Sequence, residues 1–269
     1  SLVVGNSGNI TGGGLWANYQ PPGYPENLFI REGSIYDDIR LTKGVARYSG
    51  TNTSSYWSNF GAFSGAWATE TGGDGDGLVE GEKGDALWDN VTGYYRFNDD
   101  FEDRSERSGD IEIIGTNELI TEGMWAGTGA LKLNNSYTYR HAIKLEGDTI
   151  NFGSNDFAIE FMFKIDENFS LTNTTNYYLM DFREVLPVPS SLQYLSLQYD
   201  EPSDVINLRT HTNAKLKNSS NVDYTFEINT WYHIVVSKES TNIRVFIDGD
   251  CNYANFSNIG SFGGQEIWI

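Results

Sequence analysis

"NTWYHIVVSKESTNIRVFIDGD", residues 229–250, sets two apolar runs either side of a short polar break. Tyr232, Ile234 and Val236 fall on one face of the first run, and Trp231, His233 and Val235 on the other. After the break at "KEST", Ile243, Val245 and Ile247 face one way and Arg244 and Phe246 the other. This period of two is that of paired β-strands, and Asp248-Gly249 supplies the turn that ends the second. Trp231, His233 and Asp248 lie close enough in sequence to raise a catalytic reading. A lone His inside a strand, between large neighbours, is more often a satisfied sheet residue than a base. The hairpin is therefore read as architecture.

The same pattern repeats upstream. "TGYYRF", "GALKLNN", "FAIEFMFKI", "YYLMDF", "LQYLSLQY", "VINLRTH" and "DYTFEI" are short, rich in β-branched or aromatic residues, and bounded by turn formers. In "FAIEFMFKI", residues 157–165, Phe157, Ile159, Phe161, Phe163 and Ile165 share one face, as in a strand with one face in the core. Evenly spaced strands without helices between them predict an all-β, two-sheet antiparallel jelly-roll sandwich over residues 91–269. Aromatics make up 14% of the 269 residues, enough to fill such a core.

Residues 1–70 read differently. "NSGNITGGGLWANYQPPGYPENLF" is punctuated by Gly and Pro, with short strand candidates in "DDIRLTKGVARYSG" and around "SYWSNFGAFSGAWATE". Trp16, Trp57, Trp67 and Trp88 fall in this early stretch or just beyond it, and large aromatics argue against disorder. The expectation is a loop-rich β region that docks or assembles, with a small independent β domain as the other reading. Residues 71–90, "TGGDGDGLVEGEKGDALWDN", read as a Gly/Asp-rich linker. The Asp-Gly-Asp-Gly run lacks the next ligand of an EF-hand loop, and two Gly-x-y triplets cannot form a collagen helix.

At the hairpin the chain resembles the laminin G-like, or concanavalin A-like, jelly-roll superfamily. "YYRFNDDFEDRSERSGD", "GTGALKLNN" and "NDFAIEFMFKID" follow in the order of that family's opening strands, with Ala158 where Thr or Ser is usual. The likeness covers residues 91–269 and nothing before. Members continue past the position of "EIWI" with further strands, often carrying an acidic pair, that complete the sandwich. Those strands are expected beyond Ile269, or from another chain, and Ser1 is expected to be a processed or internal start.

The resemblance implies recognition rather than catalysis. The family's glycosidases carry Glu-x-Asp-x-Glu on one strand face, and no such run occurs here. Glu160 is separated from Asp166 and Glu167 by mostly apolar residues, and there is no Gly-x-Ser-x-Gly elbow. His141, His211 and His233 show no metal-ligand spacing, and one cysteine, Cys251, makes no intrachain disulfide. No cofactor is required. The resemblance does imply a rim calcium held by Asp or Asn oxygens and loop carbonyls, for which Asp99, Asp100 and Asp103 are the candidates; a solvated acidic turn is the plainer reading.

The formal charge of −19 excludes nucleic acid as a partner, and no apolar run approaches the length of a membrane span. The expected role is a non-catalytic structural or adhesion protein of a phage virion surface, such as a fibre, tail appendage or capsid decoration. Its partners would be other virion proteins, or further copies through residues 1–90, and a cell-surface glycan. A secreted or surface adhesion module of a bacterium, and a jelly-roll glycoside hydrolase, are the alternatives.

Overall fold

A computed structural model describes residues 34–46, 87–105, 107, 110–114, 117–124, 127–133, 142–146, 150–166, 177–181, 196–200, 205–209, 214–215, 226–254 and 266–268. Among them there is no α-helix, and a 3-10 turn at Trp88–Asn90 leads into the sandwich.

The first sheet contains β1 (Ser34–Lys43), β2 (Val91–Tyr95), β4 (Asn117–Ile120), β5 (Ala130–Leu133), β7 (Phe157–Ile165), β12 (Trp231–Glu239), β13 (Asn242–Ile247) and β14 (Asp250–Ala254). Its order is β14-β13-β12-β7-β1-β5-β4, with β2 also paired to β1. The second contains β3 (Asp110–Ile114), β6 (Ala142–Glu146), β8 (Tyr177–Asp181), β9 (Ser196–Asp200), β10 (Val205–Arg209), β11 (Ala214–Lys215) and β15 (Glu266–Trp268), in the order β11-β10-β9-β8-β15-β6-β3. All the recorded pairings are antiparallel. The all-β antiparallel expectation holds.

One core fills the space between the sheets. Ile39, Leu41, Phe161, Phe163, Ile234 and Val245 of the first sheet meet Ile143, Leu145, Leu179 and Met180 of the second. Each such side chain contributes about 1.5–3 kcal/mol by leaving water. Tyr36, fully buried, reaches across to donate its hydroxyl to the Leu179 carbonyl at 3.3 Å. Phe226 packs edge-on against Phe163 and Tyr232. It lies in the connection before β12, so the end of the expected strand "DYTFEI" is a turn.

The order differs from the expected division at residue 91. The middle of the first sheet is β1, from the region read as loop-rich. It pairs with β7 along Ser34–Lys43 and, on its other edge, with β5 at Ile35–Tyr36 and β2 at Ile39–Thr42. Its charged residues, Asp37, Asp38 and Arg40, masked a central strand, because buried charges are rare without partners and its partners lie far along the chain. β1 thus occupies the middle of the sheet with an adjacent acidic pair of its own. Most of residues 1–70 and 71–90 lie outside the described residues.

The opening hairpin is tighter than its polar break suggested. β12 continues through Lys238 and Glu239, and Glu239 opposes Asn242 across a turn of Ser240 and Thr241. Lys238 is buried because its ammonium donates to the carbonyls of Ser154 (2.8 Å) and Asn155 (3.0 Å), and burial pushes its pKa down. Asp248 and Gly249, with φ of 49° and 79°, then form the two-residue turn into β14. Both φ values are positive, as a type I′ turn requires, and Asp-Gly is a preferred sequence for it.

Candidate functional site

Because partners in a ladder share a face, the side chains turned away from the core form rows across the first sheet. One row runs Lys132, Ile35, Lys164, Trp231. The next runs Asp37, Met162, His233, and the third Tyr94, Arg40, Glu160, Val235, Phe246. The polar residues of the domain that carry chemistry gather here.

This face is buried in its middle, contrary to the expectation of a strand with one face in the core. Ala158, Glu160, Val235 and Ser237 are all 0% exposed, and Arg40 and His233 are nearly so. Arg40 compensates the Glu160 charge, donating from Nε to Oε1 at 2.7 Å. His233 Nε2 stands 3.6 Å from the other oxygen, Oε2, too far for a hydrogen bond. The carboxylate and the guanidinium thus form a solvent-excluded ion pair. On β7 its neighbours on the same face are Ala158 and Met162, so the strand offers a single carboxylate there rather than an acid and nucleophile.

Two of the three residues that raised a catalytic reading, His233 and Asp248, do meet, but through the main chain of His233. The His233 N–H donates to Asp248 Oδ1 at 2.8 Å, and the Asp248 N–H donates to the His233 carbonyl at 2.9 Å. Asp248 closes the end of β13 through these two bonds. Burial raises its pKa, opposed by that hydrogen bond from His233. His141 and His211 lie outside the described residues.

Asp99, Asp100 and Asp103 lie in the turn after β2, where the chain supplies their partners. Asp103 Oδ1 accepts from the N–H groups of Tyr94 (2.9 Å) and Ser105 (2.8 Å). Asp100 accepts from the Glu102 N–H and pairs with Arg104 at 2.6 Å, and Asp99 is exposed. Among the described residues no three His, Cys, Asp or Glu side chains gather as a metal would need. Asp100 and Asp103 thus give carboxylate oxygens to the turn's own conformation.

Asp37, on β1, is a buried carboxylate with an oxygen to spare. It is 1% exposed, and while Oδ2 accepts from the Met124 N–H at 2.9 Å, Oδ1 has no hydrogen-bond partner. Burial, then the adjacent Asp38, push its pKa well above the usual carboxylate range. Asp38 sits at φ 45° in the bulge of β1 and accepts from the Tyr94 hydroxyl at 3.1 Å. The loop around them leaves no slack: a Cβ on Gly123 would stand 2.9 Å from Asp37 Oδ2, and one on Gly129 2.6 Å from the Phe97 carbonyl oxygen. Carboxylate and carbonyl oxygens are the donors calcium takes. Sequence reasoning missed Asp37; its only signal was a second acidic pair inside a strand-like run.

At the rim, the first row opens to solvent. Trp231 and Lys164 are both partly exposed, and the Lys164 ammonium lies 4.9 Å from the Trp231 ring centroid. Lys132 pairs with Asp166 beside them.

Residues 138–261 match the model of the concanavalin A-like lectin/glucanases superfamily, so the resemblance is borne out over that span. No curated protein and no solved structure matches the chain. A domain of this superfamily fits a carbohydrate-binding or adhesion role.

Proposed function

We propose that the chain is a non-catalytic recognition protein of a phage virion surface, whose concanavalin A-like domain binds carbohydrate. The state of Glu160 carries the non-catalytic part. The outward carboxylate of the central strand is closed to solvent and neutralised by Arg40, whereas glycoside cleavage needs two accessible carboxyl groups flanking the bond. Trp231 supports binding, since a partly exposed aromatic ring gives a sugar an apolar plane to rest on. The virion setting is supported by the acidic, Gly-rich β composition and the single cysteine.

Calcium is an accessory in this reading. Asp37 and Asp38 would hold it, two adjoining carboxylates that face the nearby guanidinium of Arg96. β1 and the loop residues 97–98, 121–124 and 127–129 would be tied together as a result.

A glycan array probed with the full chain, with and without calcium, tests the binding. A defined set of bound glycans, lost in Trp231→Ala, is expected; uniform absence of binding overturns the reading. Light scattering on material from the natural source tests the setting. A large symmetric particle is expected, and a free monomer would contradict it.

A further inference from the structure

The rim row is unusual for a chain with 37 acidic and only 18 basic residues. Lys132, Ile35, Lys164 and Trp231 follow one another on four adjacent strands, spanning about 14 Å at the normal strand spacing. Two of the four are cations. Lys132 is matched by Asp166, but Lys164 rests on the Trp231 ring and makes no ion pair with any carboxylate among the described residues. Both ends of the row are partly exposed, while Ile35 between the lysines is buried. The Asn229 N–H donates to the Ile165 carbonyl at 2.7 Å, which sets the exposed Asn229 beside Asp166 at the same rim.

These groups have the chemistry of a saccharide subsite with a charge requirement. The indole offers an apolar plane, the exposed Asn229 offers a polar group for hydroxyls, and Lys164 is a cation with no ion pair among the described residues. Elsewhere the net charge of −19 repels anions, so an anionic ligand gains only where a cation stands clear of a carboxylate. Among the described rim residues the cation without an ion pair is Lys164.

We propose that the Lys132–Lys164–Trp231 row binds a carboxylated saccharide, its ring on Trp231 and its carboxylate on Lys164. This rests on the carbohydrate-binding reading above and specifies its ligand class. Uronic and sialic acids share the required carboxylate.

Isothermal titration of the full chain with an oligogalacturonate, a sialylated trisaccharide and a neutral oligogalactoside separates the possibilities. At least one acidic sugar is expected to bind more tightly than the neutral one. Lys164→Gln, a change at a partly exposed position, should weaken the acidic sugar at least about tenfold more than the neutral one. Trp231→Ala should weaken both, and molar salt should weaken the acidic sugar selectively. Unfolding midpoints of both variants verify that the fold is kept. Neutral sugar binding as tightly as acidic, or acidic binding untouched by Lys164→Gln, overturns the charge requirement and leaves the carbohydrate reading standing. Failure of all three sugars to bind overturns both.

Discussion

At the scale of single residues, the domain depends on a few buried charges. Removing Arg40 would leave Glu160 without its guanidinium, at a cost of about 3–5 kcal/mol for an uncompensated buried charge. Arg40→Met should therefore be strongly destabilised in urea unfolding, and adding Glu160→Leu should recover a large part of the loss. Equal or additive losses would show that the pair is not coupled. Asp37 works in the opposite sense. Its folded pKa is raised, so its contribution to stability is complete below the unfolded value of about 3.9 and is lost as pH rises through the folded value. Stability should fall as pH rises from the unfolded value to the folded one and level off above it, and Asp37→Asn should flatten the fall. At neutral pH, millimolar calcium should raise the unfolding midpoint of the native chain and not that of Asp37→Asn. A native chain indifferent to calcium would remove Asp37 as its ligand. Glu160 and His233 were visible in the sequence as members of a strand face. The pairing of Glu160 with Arg40 was not, because a contact across 120 residues leaves no local pattern.

At the scale of elements, alternation carried most of the information. β7 was legible from end to end, because five large apolar residues at a spacing of two permit no other regular structure. The Asp248-Gly249 turn was legible from its chemistry. β3, β4, β6 and β14 were not singled out, since short strands with charged residues, such as "DIEII" and "AIKLE", have little alternation to count. β1 was seen as a strand candidate but not as the middle of a sheet. Its position predicts its behaviour: with neighbours on both edges, its amides should exchange with deuterium as slowly as those of β7 and β12. Fast exchange along Ser34–Lys43, with protection kept in β7, would contradict the strand order. Leu41→Ala should cost about 2–5 kcal/mol in spite of lying outside the superfamily span, because Leu41 is fully buried in the common core.

At the scale of the molecule, composition predicted the class and the charge, and little more. The acidic excess predicts that the melting temperature rises with sodium chloride, as screening relieves self-repulsion; a melting temperature that falls with salt would contradict this. Fold class was legible because the whole described chain is built from one repeated pattern. The site was less so, since it is made by rows across strands, and rows depend on register rather than on any one segment. The central claim is that the outer face of this sandwich binds a saccharide and leaves it whole. Native mass spectrometry of the full chain after incubation with a panel of oligosaccharides tests it most directly. The account predicts a complex with the mass of protein plus intact oligosaccharide, absent in Trp231→Ala. Shortened sugars among the products, or no adduct with any of the panel, would contradict it.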